Sequence, residues 1–492
     1  MGAIARFFRL EQAGTTVGTE VRAGVVTFMT MAYIIFVQPF VLSQAGMDPD
    51  GVMMATCLSS ALATLTMGLL ANYPIALAPA MGHNFYFLFL VTSGLVDGWE
   101  QALGAVFVSG LLFLVLSFFG FRERVVNAVP DSLKYAIAVG IGLLIALVGL
   151  QLGGLVEVNA ENPAATGLRL AEFGDEALLA LVGLAVTGSM LAFRVRGAIL
   201  VGLLATALLG AVMGLVSLPE TPVAPPPWEG LRATALRLDV VGALQFGFFG
   251  VIFTFFFLDL FDTIGTLIGV TQQAGLMVEG RLPRARRALF SDAVGTVTGS
   301  LLGTSTVTSY IESTAGVSEG GRTGLASVVT SVLFLAAMFF SPCVAVIASG
   351  VPTDQEFKLR DVDAKWQPGP EAEGPAAKPW QVSAEAEGTL RVGRTKVLNP
   401  VTAPILIIVG CLMMTAVPRI RWGDWTEALP AFLAIVMMPL TGNITEGIAF
   451  GFIAYALLKT VSGRVKELSP WVAVFAVLFV LRYIYEALAA AA

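Results

Sequence analysis

Apolar stretches of about 20 residues recur from residue 20 to residue 488, separated by short polar or charged turns. At about 1.5 Å of rise per residue, such a stretch crosses a hydrocarbon core of about 30 Å and reads as a membrane-spanning helix. The pattern predicts spans over 20–42, 51–71, 76–92, 100–120, 132–153, 176–193, 197–216, 240–271, 286–302, 304–317, 322–343, 400–418, 427–441 and 444–461. A further hydrophobic helix covers 469–488, either spanning the bilayer or lying in its interface. The fold class is therefore an all-α polytopic membrane protein of about 14 transmembrane segments.

The segments form two sets. "SQAGM" at 43–47 ends the first span and "QQAGL" at 272–276 the eighth; "FLVLSFFG" at 113–120 is matched by "FLAAMFFS" at 334–341, and "EALLALVGLAVTG" at 176–188 by "EALPAFLAIVMMP" at 427–439. The matches keep their order, which implies two repeats of seven segments. Seven is odd, so the second repeat is inverted relative to the first. A polar insertion over 351–398, rich in Pro, Glu, Lys and Gly, displaces the last match and is expected to be a solvated extracytoplasmic loop or small hairpin without chemistry.

Composition agrees with the pattern. Of 492 residues 56% are hydrophobic and 13% charged, against about 25% charged in soluble domains, and mean hydropathy is +0.81. The leading "MGAIARFFRLEQAGTT" lacks an apolar core and a small-residue cleavage site, so the first span is expected to anchor itself. Net charge is -6, which gives no footprint for nucleic acid. Position matters more than sum. Arg122, Arg124, Lys134, Arg194, Arg196, Arg281, Arg284, Arg286, Arg287, Arg419, Arg421, Lys459, Arg464 and Lys466 all fall on one side if the N-terminus is cytoplasmic, as the positive-inside rule requires. Cys57, Cys343 and Cys411 have neither disulfide nor metal-site spacing, and no cofactor is implied.

Candidate chemistry sits at membrane depth. "ALAPAMGHNFYF" at 76–87 and "GTSTVTSYIESTAG" at 303–316 are poor helices, predicted to contain short extended stretches, and they are the third and tenth segments. Broken segments at matching positions of inverted repeats point to a midplane binding site. In the eighth segment, "FFFLDLFDTIGTLIG" carries Asp259 and Asp262 three apart on one helical face, continued by Thr263 and Thr266. Each ionised carboxylate costs about 2.5–3.5 kcal/mol at that depth, so Asp259, Asp262 and Glu312 call for a function, or for a cap or buried base that neutralises them. Clustered carboxylates repel, which suits reversible proton uptake by Asp262 or Glu312. They accept N–H groups, so a neutral heterocycle or amine fits and anions do not. Asn84 adds a donor and acceptor; Phe85, Tyr86 and Tyr310 offer either ring faces for stacking or plain packing. His83, the only histidine, is either a satisfied structural residue or a proton carrier. Asp292 is expected to pair with the nearby arginines.

These residues resemble the adenine/guanine/hypoxanthine permeases of the AzgA-like branch of the nucleobase/ascorbate transporters. The resemblance runs from about residue 12 to 490 through "EVRAGVVTFMTMAYIIFVQP", "ANYPIALAPAMG", "TFFFLDLFDTIGTLIGV", "LLGTSTVTSYIESTAGVSEGGRTGL" and "MMPLTGNITEGIAFGFIAY". It implies a core domain (20–120 and 240–343) and a gate domain (132–216 and 400–461), after a cytoplasmic 1–19 and before a C-terminal helix in 462–492. It also implies a purine nucleobase held between the third and tenth segments by Asn84, Asp259, Asp262 and Glu312. Pairing of two copies through gate helices would follow. His83 departs from the leucine of many relatives, and the insertion is longer than theirs.

The expected function is secondary active import of purines across the cytoplasmic membrane by proton symport, with sodium as the other candidate ion. No Walker motif supplies ATP chemistry. The alternatives are a carrier for another neutral heterocycle or an anion on the same fold, and an intramembrane aspartyl protease. The acidic triad argues against the anion, and the absence of a Gly-x-Gly-Asp context argues against the protease.

Overall fold

Helices follow the apolar runs almost one for one. The computed structural model describes residues 2–118, 129–158, 167–245, 251–277, 282–360, 381–386 and 389–491; Arg122, Arg124 and Arg281 lie outside the described residues. Among them, Val17–Ser43, Pro49–Ala71, Trp99–Ser117, Asp131–Leu152, Asp175–Ala192, Gly324–Ala348 and Ile444–Val461 are long and apolar enough to cross a membrane. Ala198–Val212, Val251–Leu260, Ala403–Arg419 and Trp425–Thr441 are shorter apolar helices. Helix Ala285–Leu302 and two strand–helix segments complete the fourteen: Leu77–Pro79 leading into Met81–Thr92, and Val307–Ser309 leading into Ser313–Ser318. Segments are numbered 1–14 in chain order below.

Local chemistry sets the ends. Asp48, Asp424 and Asn443 accept from backbone N–H groups two or three residues on, capping segments 2, 13 and 14. Segment 11 is capped from afar: the buried Glu20 of segment 1 accepts the N–H groups of Arg322 (2.9 Å), Thr323 and Ala326 (3.3 Å each). Segment 1, expected to be one helix, is broken into Val17–Met31 and Ile34–Ser43 by a tight turn at Ala32–Tyr33, where Ile35 N–H bonds the Ala32 carbonyl at 3.1 Å.

Two packing groups emerge. Segments 1, 2, 4, 8, 9 and 11 pack on one another, and segments 5, 6, 7, 12, 13 and 14 do likewise. Glycine permits the closest crossings: a Cβ on Gly324 would lie 2.0 Å from the Gly68 carbonyl oxygen (segments 11 and 2), and one on Gly410 would lie 2.4 Å from that of Gly142 (segments 12 and 5). Across the groups, the Thr445 and Thr254 hydroxyls are 3.3 Å apart, joining segments 14 and 8.

The polar connections hold more structure than expected. A hairpin pairs Val156–Val158 with Leu168–Leu170, and helices Trp228–Thr234 and Val240–Gln245 precede segment 8, whose described helix starts at Val251 rather than 240. The described residues of the 351–398 insertion form a three-stranded antiparallel sheet in the order Val351–Arg360, Thr389–Leu398, Gln381–Ala386. Helix Pro470–Ala491 lies along segments 8 and 14, with Phe475 against Phe257 (4.4 Å between centroids) and Phe452 (6.0 Å).

Candidate functional site

The two broken segments meet as a two-stranded antiparallel pair, with Leu77 opposite Ser309, Ala78 opposite Thr308 and Pro79 opposite Val307. Flanking bonds extend the ladder: Ala80 N–H to the Thr306 carbonyl and Tyr310 N–H to the Ala76 carbonyl, both 2.9 Å. Pro79 thus occupies a non-bonded position of the ladder and forfeits nothing there. Extended backbone at membrane depth must have its outer edges satisfied within the protein. Segment 2 does this for one strand, since the Thr64 hydroxyl donates to the Leu77 carbonyl (3.1 Å) and accepts from its N–H (2.9 Å). Segment 9 does it for the other, with the Thr296 hydroxyl donating to the Val307 carbonyl (3.0 Å) and the Asp292 carboxylate accepting the Ser309 N–H (3.0 Å).

Asp292, expected from sequence to pair with the nearby arginines, turns to the strand pair. It is fully buried and also accepts from the hydroxyls of Thr263 (2.7 Å) and Ser309 (3.2 Å). Arg284 and Arg287 instead donate to the Asn72 and Leu70 carbonyls at 3.1 and 3.4 Å. The two aspartates of segment 8 have different surroundings. Asp259 is fully buried towards segment 9, accepting from Thr263 and Thr296 at 3.4 Å each. Asp262 reaches the strand pair, accepting from the Thr308 hydroxyl at 3.2 Å. Glu312, at the start of helix Ser313–Ser318, accepts from the Tyr33 hydroxyl at 2.8 Å, at the break in segment 1.

Asn84 is buried and tied on both sides of its amide, donating to Gln38 and accepting from Ser305; Gln38 also donates to Thr304 at 2.9 Å. Tyr310 is buried, its hydroxyl donating to the Pro79 carbonyl across the strands. Phe85 is buried, and the Tyr86 ring meets Phe255 edge-on at 5.0 Å. His83 stacks on Phe255 at 6.4 Å and 18°, and its Nε2, fully buried, has no hydrogen-bond partner among the described residues. A Cβ on the adjacent Gly82 would lie 3.0 Å from Ile141 of segment 5 and 3.5 Å from Ile444 of segment 14, so this cluster lies where the two packing groups touch.

Sequence reasoning missed Gln38, Tyr33, Thr64 and Thr296. Only Gln38 carried a signal, as a lone amide in the apolar "IIFVQPF". The hydroxyls carried none, because Thr and Ser on a helix usually bond their own turn.

Paired broken segments within inverted seven-segment repeats define a transporter fold. A solved structure of the transmembrane domain of a cyanobacterial bicarbonate transporter, BicA, superposes with a TM-score of 0.58 at 14% identity, covering 88% of this chain and 97% of that one. The profile of a permease family matches residues 18–353, and the chain belongs to that family. It is 39% identical to the adenine permease AdeP of Escherichia coli over 98% of this chain and 96% of that one. It is equally 39% identical to the guanine/hypoxanthine permease PbuO of Bacillus subtilis, over 96% of this chain and 98% of that one.

Proposed function

We propose that this chain imports purine nucleobases across the cytoplasmic membrane as a proton symporter, with its N-terminus in the cytoplasm. The reading is carried by one observation: Asp262 of segment 8 takes the Thr308 hydroxyl of the paired strands, and Glu312, three residues beyond the second strand, takes the Tyr33 hydroxyl at the break in segment 1. The names of the relatives supply the substrate class. An ionised carboxylate accepts hydrogen bonds only, which suits the N–H groups of a purine. Asp259 and Asn84 brace this face, and Phe85 and Tyr310 supply aromatic surface beside it.

Coupling follows from the cost of charge at membrane depth. Protonating Asp262 or Glu312 removes one ionised group from the loaded site, lowering the barrier to moving it across the bilayer. Segments 1–4 and 8–11 are the moving core and segments 5–7 and 12–14 the gate, a division supported by the two packing groups. Sodium is the alternative coupling ion, and a homodimer through gate helices the assembly the family resemblance favours. In proteoliposomes, Asp262→Asn and Glu312→Gln should each abolish gradient-driven purine accumulation in protein that elutes as a single folded species. Normal uptake by both variants would overturn the assignment.

A further inference from the structure

Ionised carboxylates cannot satisfy every edge of a purine. Its ring nitrogens N3 and N7 carry lone pairs, and these need donors. Most donors at the strand crossing are committed: Tyr33 to Glu312, Thr308 to Asp262, Tyr310 to the Pro79 carbonyl, and the Asn84 amide to Gln38. Two fully buried polar atoms there have no partner among the described residues, His83 Nε2 and Thr306 Oγ1.

Their positions are linked by the backbone. Thr306 faces Ala80 across the extended ladder, its carbonyl taking the Ala80 N–H at 2.9 Å. His83 is three residues on from Ala80, the N-cap of helix Met81–Thr92, and so lies one turn along the same face. Side chains alternate along a strand. Val307 and Ser309 point to segment 9, Val307 within 3.0 Å of where a Cβ on Gly295 or Gly299 would lie, and Ser309 onto Asp292. Thr306 and Thr308 therefore share the opposite face, and Thr308 touches Asp262 there. The other buried hydroxyls without a partner among the described residues, Thr56 and Ser60 of segment 2 and Thr402 at the start of segment 12, lie outside the strand pair. A helical hydroxyl can also turn to a carbonyl of its own preceding turn. An imidazole held against Phe255 has no such recourse.

We infer that His83 and Thr306 form a donor pair that reads the ring-nitrogen edge of the bound purine, opposite the N–H groups taken by Asp262 and Glu312. This rests on the purine reading and adds its specificity element. His83 then acts as a hydrogen-bond donor to substrate, not as the proton carrier considered from sequence.

The test is equilibrium binding of adenine, hypoxanthine and their 3-deaza and 7-deaza analogues, in which one ring nitrogen becomes C–H, to the purified full chain. The wild-type chain should bind at least one deaza analogue about fivefold to tenfold more weakly than its parent base. His83→Leu or Thr306→Val should abolish that preference, bringing parent and analogue to equal affinity, while His83→Gln or Thr306→Ser, which keep a donor, should restore it. A purely structural role would weaken parent and analogue alike and leave their ratio unchanged. If wild-type chain binds purines but His83→Leu and Thr306→Val keep the wild-type ratios, the donor pair is wrong and the purine reading stands. If wild-type chain binds no purine, both fall.

Discussion

At the scale of single residues, burial of a carboxylate does not by itself mean transport chemistry. Glu20, Asp259, Asp292 and the partly buried Glu312 are all acids within or at the ends of spanning segments, yet Glu20 caps segment 11 and Asp292 holds a strand edge. Replacing Asp292 by Ala removes the acceptor of the buried Ser309 N–H, at a cost of about 1.5–3 kcal/mol. The expected outcome is a melting temperature lowered by several degrees; an unchanged value would show that the strand edge finds another partner. Tyr33→Phe removes the hydroxyl that donates to Glu312 without changing shape. It should leave the fold stable and slow uptake, whereas Glu312→Gln should stop accumulation. What could be read from sequence here was the set of chemically unusual residues, Asp259, Asp262, Glu312, Asn84 and His83. Their assignment to bracing or to substrate was not legible, because it depends on which neighbour each meets across the repeat, and Thr296 and Thr308 look alike in one dimension.

At the scale of elements, fourteen apolar segments and the two poor helices among them were legible, since length and Pro, Gly and Thr content report directly on helix formation at membrane depth. The break at Ala32–Tyr33 was not, because "MAYIIFV" around it is hydrophobic and holds neither Gly nor Pro. Of the insertion only a loop or small hairpin was expected, because its polar composition masks the alternation that a third strand would show. Glycines separate into two kinds that sequence alone does not distinguish. Gly324→Ala would drive a methyl group to 2.0 Å from the Gly68 carbonyl oxygen and should destabilise by about 1–3 kcal/mol. Gly188→Ala, in the helix Asp175–Ala192 with nothing within 4 Å, should instead stabilise by about 0.5–1 kcal/mol. Thermal unfolding of the two variants in the same detergent checks both signs.

At the scale of the whole molecule, the two packing groups must shift against each other for a substrate to cross. Cysteines replacing Thr254 and Thr445, whose hydroxyls are 3.3 Å apart, in a background with Cys57, Cys343 and Cys411 changed to Ala, should cross-link segment 8 to segment 14 on oxidation. Uptake should then stop and return on reduction; full activity of the cross-linked protein would show that these segments move together. The gate group is tied at one end by Arg464, which bonds Asp424 (2.7 Å) and Glu467 (2.7 Å) and holds both carboxyls down at about 2. Both folded values lie below the ordinary 3.8 and 4.5. Their contribution is thus fully present above about pH 4.5 and lost as pH falls towards 2. Both groups are solvent-facing, so the effect is small. Arg464→Ala should flatten the pH dependence of thermal stability within that window, slightly lowering stability near neutrality and leaving it unchanged near pH 2.

The account stands most directly on uptake itself. Radiolabelled adenine, guanine, hypoxanthine and uracil would be offered to proteoliposomes with and without an inward proton gradient. The account predicts that at least one purine accumulates only with the gradient, that uracil does not, and that Glu312→Gln ends the accumulation. Equal movement with and without the gradient would contradict proton coupling, and no movement of any purine by folded protein would contradict the substrate.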